Sequence, residues 1–131
     1  MVGIVIVSHS RKIAEGVQEL AAQVAASDGR IIAAGGLEDG EIGTDAVRIS
    51  EAIRAAEGGD GVVVLADIGS GIMSVETAME LLEDADIDAR LADAPLVEGA
   101  IAASVEAACG SDIDAVIRAA EEARSVRKTD L

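Results

Sequence analysis

The sequence predicts an α/β fold: a doubly wound open sheet of four parallel strands, order 2-1-3-4, with helices on both faces. Three observations predict it. Short runs of aliphatic and β-branched residues alternate along the chain with apolar stripes at helical spacing. The first and third runs are nearly continuous Val, Ile and Leu, as in central strands covered on both faces. The chain has 131 residues, half of them apolar, enough for one core without disulfides or metal.

Taken in order, strand-like runs occur at Gly3–Val7, Arg30–Ala34, Gly61–Ala66 and Asp88–Ala92. Between the first two, Ile13, Val17, Leu20 and Val24 form one apolar helical stripe. Ala46, Ile49, Ile53 and Ala56 repeat it before the third strand, and Ile72, Val75, Met79 and Leu82 before the fourth. Val97, Ile101, Val105 and Ala108 form a fourth stripe. After the break at Gly110–Ser111, Ser111-x-x-Asp114 resembles a capping box opening a fifth helix, with Ile113, Val116 and Ile117 inward. The order βαβαβαβαα is that of a doubly wound layer. One domain is expected over residues 1–124, followed by a polar, frayed tail over 125–131.

Composition excludes several functions. Phe, Tyr and Trp are absent, so no ring can stack on an adenine or on single-stranded nucleic acid. A net charge of −15 opposes binding to nucleic acid or to an anionic membrane. The 25 acids against 10 bases are spread over polar positions rather than gathered in a tail. That spread points to a halophile's cytoplasmic protein, where salt screens the self-repulsion. An acidic patch for a basic partner is the competing explanation. Cys109 is the lone cysteine, expected as a small buried hydrophobe. No metal site, signal peptide or membrane span is expected.

The single histidine, His9, follows the first strand in IVIVSHS. On its own, such a residue reads as a solvated loop histidine. Its place in the fold changes that. Open α/β sheets bind ligands beyond the strand ends where the winding reverses, here between the first and third strands. The third strand ends at Asp67-Ile-Gly-Ser-Gly71, so His9 and Asp67 would share one crevice. A carboxylate on one ring N–H leaves the other nitrogen nucleophilic and stabilises the charge that grows on attack. Gly69, Ser70 and Gly71 enter a helix whose first amides can hold an anion, and Gly43-Thr44-Asp45 opens another. Together these suit a phosphate carried on His9.

Rival chemistries lack residues. SHSRKI has no G-x-G-x-x-G for a dinucleotide, and Ser8-His9-Ser10 has no acid to hold magnesium as a receiver domain would. Two-histidine phosphatases and chelatases need a second imidazole. No serine lies in a G-x-S-x-G elbow. A non-catalytic binding module stays open on these residues alone.

The segments VIVSHS from Val5, GTDAVRI from Gly43, DIGSGIMSVETAMELL from Asp67 and APLVEGAIAASVEAA from Ala94 carry a resemblance. They are similar to the phosphotransfer subunits of dihydroxyacetone kinase, within the mannose-type enzyme IIA family of the phosphoenolpyruvate-dependent phosphotransferase system. The similarity runs from Met1 to about Ala123. Ser10 stands where sugar-type members usually have Gly, and Pro95-Leu-Val-Glu-Gly99 is of the dihydroxyacetone type. The resemblance implies that the phosphocarrier HPr phosphorylates His9. His9 then passes the group to ADP, held with Mg on the kinase's L subunit, while a K subunit binds dihydroxyacetone. It implies Asp67 as the support of His9, a phosphate pocket of Ser10, Gly43, Thr44, Gly69, Ser70 and Gly71, no cofactor bound directly, and a homodimer. A sugar phosphotransferase component and a regulatory phospho-adaptor are the alternatives. Two departures stand out. The chain ends after the enzyme IIA part, so the donor is expected to be a separate protein. The loop from Gly35 to Glu41 is short and acidic, which sets it apart where partner contacts are expected.

Overall fold

In a computed structural model of the chain, residues 1–26 and 30–130 are described. The elements run β1 (Gly3–Ser8), α1 (Arg11–Ala25), β2 (Ile31–Gly35), α2 (Ala46–Ala56), β3 (Val62–Ala66), α3 (Gly69–Leu81), β4 (Ala89–Leu91), α4 (Leu96–Ala108) and α5 (Ile113–Glu122). The four strands form one parallel sheet in the order β2-β1-β3-β4. This is the doubly wound α/β fold expected from the sequence. The fourth strand is shorter than the run Asp88–Ala92, pairing only Ala89–Leu91 with Val62–Val64.

Strand alternation divides the core into two layers. Val2, Ile4, Ile6, Val63 and Leu65 face α1, α4 and α5. Val5, Val7, Val62, Val64 and Ala66 face α2 and α3. Every residue of β1 and β3 is buried, which is why these strands read as unbroken apolar runs.

Two helical stripes differ from expectation. In α1 the buried residues are Ala14, Val17 and Ala21, while Ile13, Leu20 and Val24 lie half exposed. In α4 the inward face is Gly99, Ala100, Ala103, Ser104 and Ala107, with Val97 and Val105 outward. Close packing is the reason. A Cβ on Gly35 would lie 2.6 Å from that of Ala14, and one on Gly99 would lie 2.9 Å from Leu65 Cδ2. Helices that close to the sheet admit only small side chains on the inner face. Large aliphatic residues at helical spacing then mark the outer edge.

Three smaller corrections follow from helix ends. Cys109 is exposed rather than buried, because it caps α4 beyond the last inward residue. The cap of α5 is Asp112, not Ser111, and its carboxylate accepts from the Ala115 amide. The tail expected to fray carries a short 3₁₀ turn, Lys128–Asp130, and another, Ala123–Ser125, leads into it. Lys128 there pairs with Glu98 at 2.8 Å. Its last residue, Leu131, lies outside the described residues.

Candidate active site

β1 and β3 end side by side, with Val7 opposite Ala66. The chain therefore delivers His9 and Asp67 to the same point, beyond the carboxyl ends of the two central strands. Asp67 is held on all sides. One carboxylate oxygen, Oδ2, accepts from the Ser8 hydroxyl and the His9 amide, each at 2.9 Å. The other, Oδ1, accepts from the Ile68 amide at 2.7 Å and lies 2.9 Å from His9 Nδ1. Burial opposes the charge, but the amides of His9 and Ile68, the imidazole and the Ser8 hydroxyl outweigh it. The Asp67 carboxyl is thereby held below its ordinary value.

That ionised carboxylate assigns the imidazole tautomer. It cannot donate, so Nδ1 carries the proton and donates to Asp67. Nε2 then bears the lone pair, and the Ser70 hydroxyl 2.5 Å away donates to it. His9 is partly covered, its side chain about one-fifth exposed at 19%. The geometry presents one nucleophilic nitrogen to solvent.

The helix start beside it suits an anion. α3 begins at Gly69 with no side-chain cap from Ile68; the Gly71 amide donates to the Ile68 carbonyl at 2.8 Å, which leaves the Gly69 and Ser70 amides to face a ligand. Gly71 leaves room for the carboxylate, since a side chain there would crowd it. A Cβ would sit 3.1 Å from Asp67 Oδ1 and 3.6 Å from His9 Cε1. On the other flank, the Gly43 amide donates to the His9 carbonyl at 2.9 Å. Gly43 has φ +151°, a backbone that side chains rarely adopt.

Of the residues singled out in the sequence, the structure brings His9, Asp67, Ser70 and Gly71 into one cluster, with Gly69 opening the adjoining helix. Gly43 touches it through the backbone. Ser10 caps α1, its hydroxyl accepting from the Ile13 amide at 3.3 Å. The Thr44 hydroxyl pairs with Ser74 at 2.6 Å, tying the loop before α2 to α3. Sequence reasoning passed over Ser8 and Ser74. Ser8 is fully buried and bridges Asp67 to the Ser10 amide. A serine closing an otherwise aliphatic strand was the available signal.

Among the described residues, no group of three or more His, Cys, Asp or Glu is placed to hold a metal ion. No described helix is long and apolar enough to cross a membrane.

A profile of EIIA-man, described as the phosphotransferase system (PTS) fructose IIA component, matches residues 3–117. The chain belongs to the EIIA-man family. Among curated relatives, this EIIA-man chain is 48% identical over 135 residues to the "PEP-dependent dihydroxyacetone kinase, phosphoryl donor subunit DhaM" of Escherichia coli K12. That match covers all of this chain but 29% of the relative, so the chain spans less than a third of that protein's length. A Listeria innocua "PEP-dependent dihydroxyacetone kinase 2, phosphoryl donor subunit DhaM" is 40% identical, covering 90% of this chain and 95% of that one. The "PTS-dependent dihydroxyacetone kinase, phosphotransferase subunit DhaM" of Lactococcus lactis is 39% identical, over 87% and 89%. Among solved structures, the protein EF1359, described as of unknown function, is similar with TM-score 0.79 and 33% identity, over 93% of this chain and 95% of that chain.

Proposed function

We propose that this chain is the phosphocarrier of a phosphoenolpyruvate-dependent dihydroxyacetone kinase, working in the cytoplasm as a homodimer with His9 transiently phosphorylated. One observation carries the reading: Nδ1 of the single histidine is engaged by an ionised Asp67, so Nε2 alone is left with a lone pair. The names of the DhaM relatives, which print a phosphoryl donor subunit of dihydroxyacetone kinase, support the direction of transfer.

In this reading the Nε2 lone pair attacks the phosphorus of phosphorylated HPr. The P–N bond to the donor imidazole breaks, and that imidazole leaves with the bond's electron pair. His9 becomes a phosphorylated imidazolium still holding its Nδ1 proton, and Asp67 balances the positive charge. The phosphoryl oxygens turn toward the first amides of α3. No proton needs to leave His9, so no general base is required. The second transfer reverses these roles, toward ADP held with Mg on the L subunit, and the ATP formed there phosphorylates dihydroxyacetone on the K subunit. This chain has no Walker loop and no aromatic ring to hold adenine. The nucleotide and the metal therefore belong to the partner.

Incubation with radiolabelled phosphoenolpyruvate, enzyme I and HPr should give an acid-labile, base-stable adduct on the chain. His9→Ala should abolish both the label and support of dihydroxyacetone phosphorylation. Label should pass to ADP only when the L subunit is present. Loss of label to free ADP, or to a membrane sugar permease without the L subunit, would overturn the assignment and favour a sugar phosphotransferase component.

A further inference from the structure

Among the described residues, four contacts hold the Asp67 carboxylate, and they are not independent of one another. Two come from His9 itself: its amide on Oδ2 and its Nδ1 beside Oδ1. A third is the Ile68 amide, next to Asp67 in the chain, which reaches Oδ1 at 2.7 Å. The fourth is the Ser8 hydroxyl, 2.9 Å from Oδ2. It is the only side chain outside the His9–Asp67 pair that touches the carboxylate.

Ser8 is itself fixed. It closes β1 opposite Gly35 of β2, and its carbonyl accepts the Gly36 amide at 3.2 Å. Its hydroxyl oxygen accepts the Ser10 amide at 3.0 Å, so its single proton is left for Asp67. Hydrogen bonds that run in one direction strengthen one another. A chain of donors therefore leads from Ser10 through Ser8 to Oδ2, and Oδ1 stays turned toward Nδ1. The place of the hydroxyl adds weight. Ser8 is fully buried and closes a strand whose other residues carry no polar side chain. A serine that only closed its own turn would need the bond from Ser10. It would not need the one it gives to the carboxylate.

Resting on the phosphocarrier reading, we propose that Ser8 is a positioning residue for phosphoryl transfer. It fixes the Asp67 carboxylate so that Oδ1 meets the Nδ1 proton while positive charge grows on His9. Ser8 lies beneath Asp67 and acts only through it. A carboxylate free to turn would have to be reoriented as the imidazolium forms, and that reorganisation would slow the step.

The test is a double-mutant cycle on the full chain, read as the single-turnover rate of His9 labelling. Ser8→Ala should slow transfer about tenfold, the effect of losing one hydrogen bond to a charged group. The factor should be the same with phosphorylated HPr and with phosphoramidate, a small P–N donor that releases ammonia. The KM for phosphorylated HPr should stay at the wild-type value. Ser8→Thr keeps the hydroxyl and should restore the rate. Ser50→Ala removes another buried hydroxyl, one that donates to the Val47 carbonyl at 2.7 Å. It should lose stability without slowing transfer. In an Asp67→Asn background, Ser8→Ala should cost less than about twofold more. Wild-type rates in Ser8→Ala would overturn the inference. So would a full loss of rate on top of Asp67→Asn, or a folded Ser8→Thr as slow as Ser8→Ala. If Ser8→Ala does not fold, proton NMR of the wild type decides. A Ser8 hydroxyl proton protected from exchange, whose resonance moves when His9 is phosphorylated, supports the inference. One that exchanges freely or does not move overturns it. Failure of the wild type to label on His9 with either donor would instead count against the phosphocarrier reading itself.

Discussion

At the scale of single residues, the Asp67 carboxylate organises the site, and its environment makes two predictions. Asp67→Asn keeps the size of the side chain but exchanges a charge-assisted hydrogen bond to Nδ1 for a neutral one, about half as strong. Phosphoryl transfer through His9 should slow about 10²-fold or more, read as the single-turnover rate from phosphorylated HPr. The same carboxylate also makes stability depend on pH. Its native value lies below its ordinary one, so the ionised form favours the folded state wherever the unfolded chain would be ionised too. That contribution is fully present above about pH 4 and is lost as pH falls through the lowered native value. Urea midpoints of wild type and Asp67→Asn should therefore converge on acidification, with the wild type losing the difference. Gly71→Ala separates activity from stability. Ala suits a helix better than Gly by about 1 kcal/mol, but its Cβ would press on a carboxylate fixed by four hydrogen bonds. Transfer should slow several-fold while the melting temperature barely moves.

At the scale of elements, the helices do not all start alike. α3 starts on Gly-Ser-Gly without a side-chain cap. α2 and α5 are capped by Asp45 and Asp112, whose carboxylates accept amides of the first turn. α4 also lacks a side-chain cap, so an open first turn by itself does not mark the site; in α3 it matters because that turn lies beside His9. Asp112→Ala should cost about 1 kcal/mol of stability, seen as a lower urea midpoint with an unchanged slope, and should leave phosphoryl transfer intact. The unexpected faces of α1 and α4 belong to this scale. Ala is apolar wherever it lies, so a stripe of Val, Leu and Ile at helical spacing does not say which side of it meets the sheet.

At the scale of the whole molecule, the charge sets the conditions for folding. Twenty-five acids against ten bases surround a small aliphatic core. The described ion pairs relieve only a few of them, and most of those lie on exposed side chains, where each contributes little. The Debye length shrinks from about 30 Å at 0.01 M salt to about 3 Å at 1 M. The melting temperature should therefore rise substantially with potassium chloride. A melting temperature that is flat from dilute buffer to molar salt would point instead to a local acidic face kept for a partner.

The sheet was legible in the chain because β3 is apolar at every position and β1 at every position before Ser8, as doubly covered parallel strands require. The crevice was legible too, since two strand ends must meet where the winding reverses, and the chain puts its one histidine and an aspartate there. Tertiary structure alone decided the rest. It chose the Ala and Gly faces of α1 and α4, because the distance between helix and sheet is a property of the packed layers and not of a stripe. It recruited Ser8 beneath Asp67, exposed Cys109 at a helix end, and turned the Ser10 hydroxyl to its own helix. It also brought Ser70 to Nε2, across 61 residues of sequence separation. Local pattern reports periodicity and capping, whereas a hydrogen bond between side chains depends on where distant backbone segments stop.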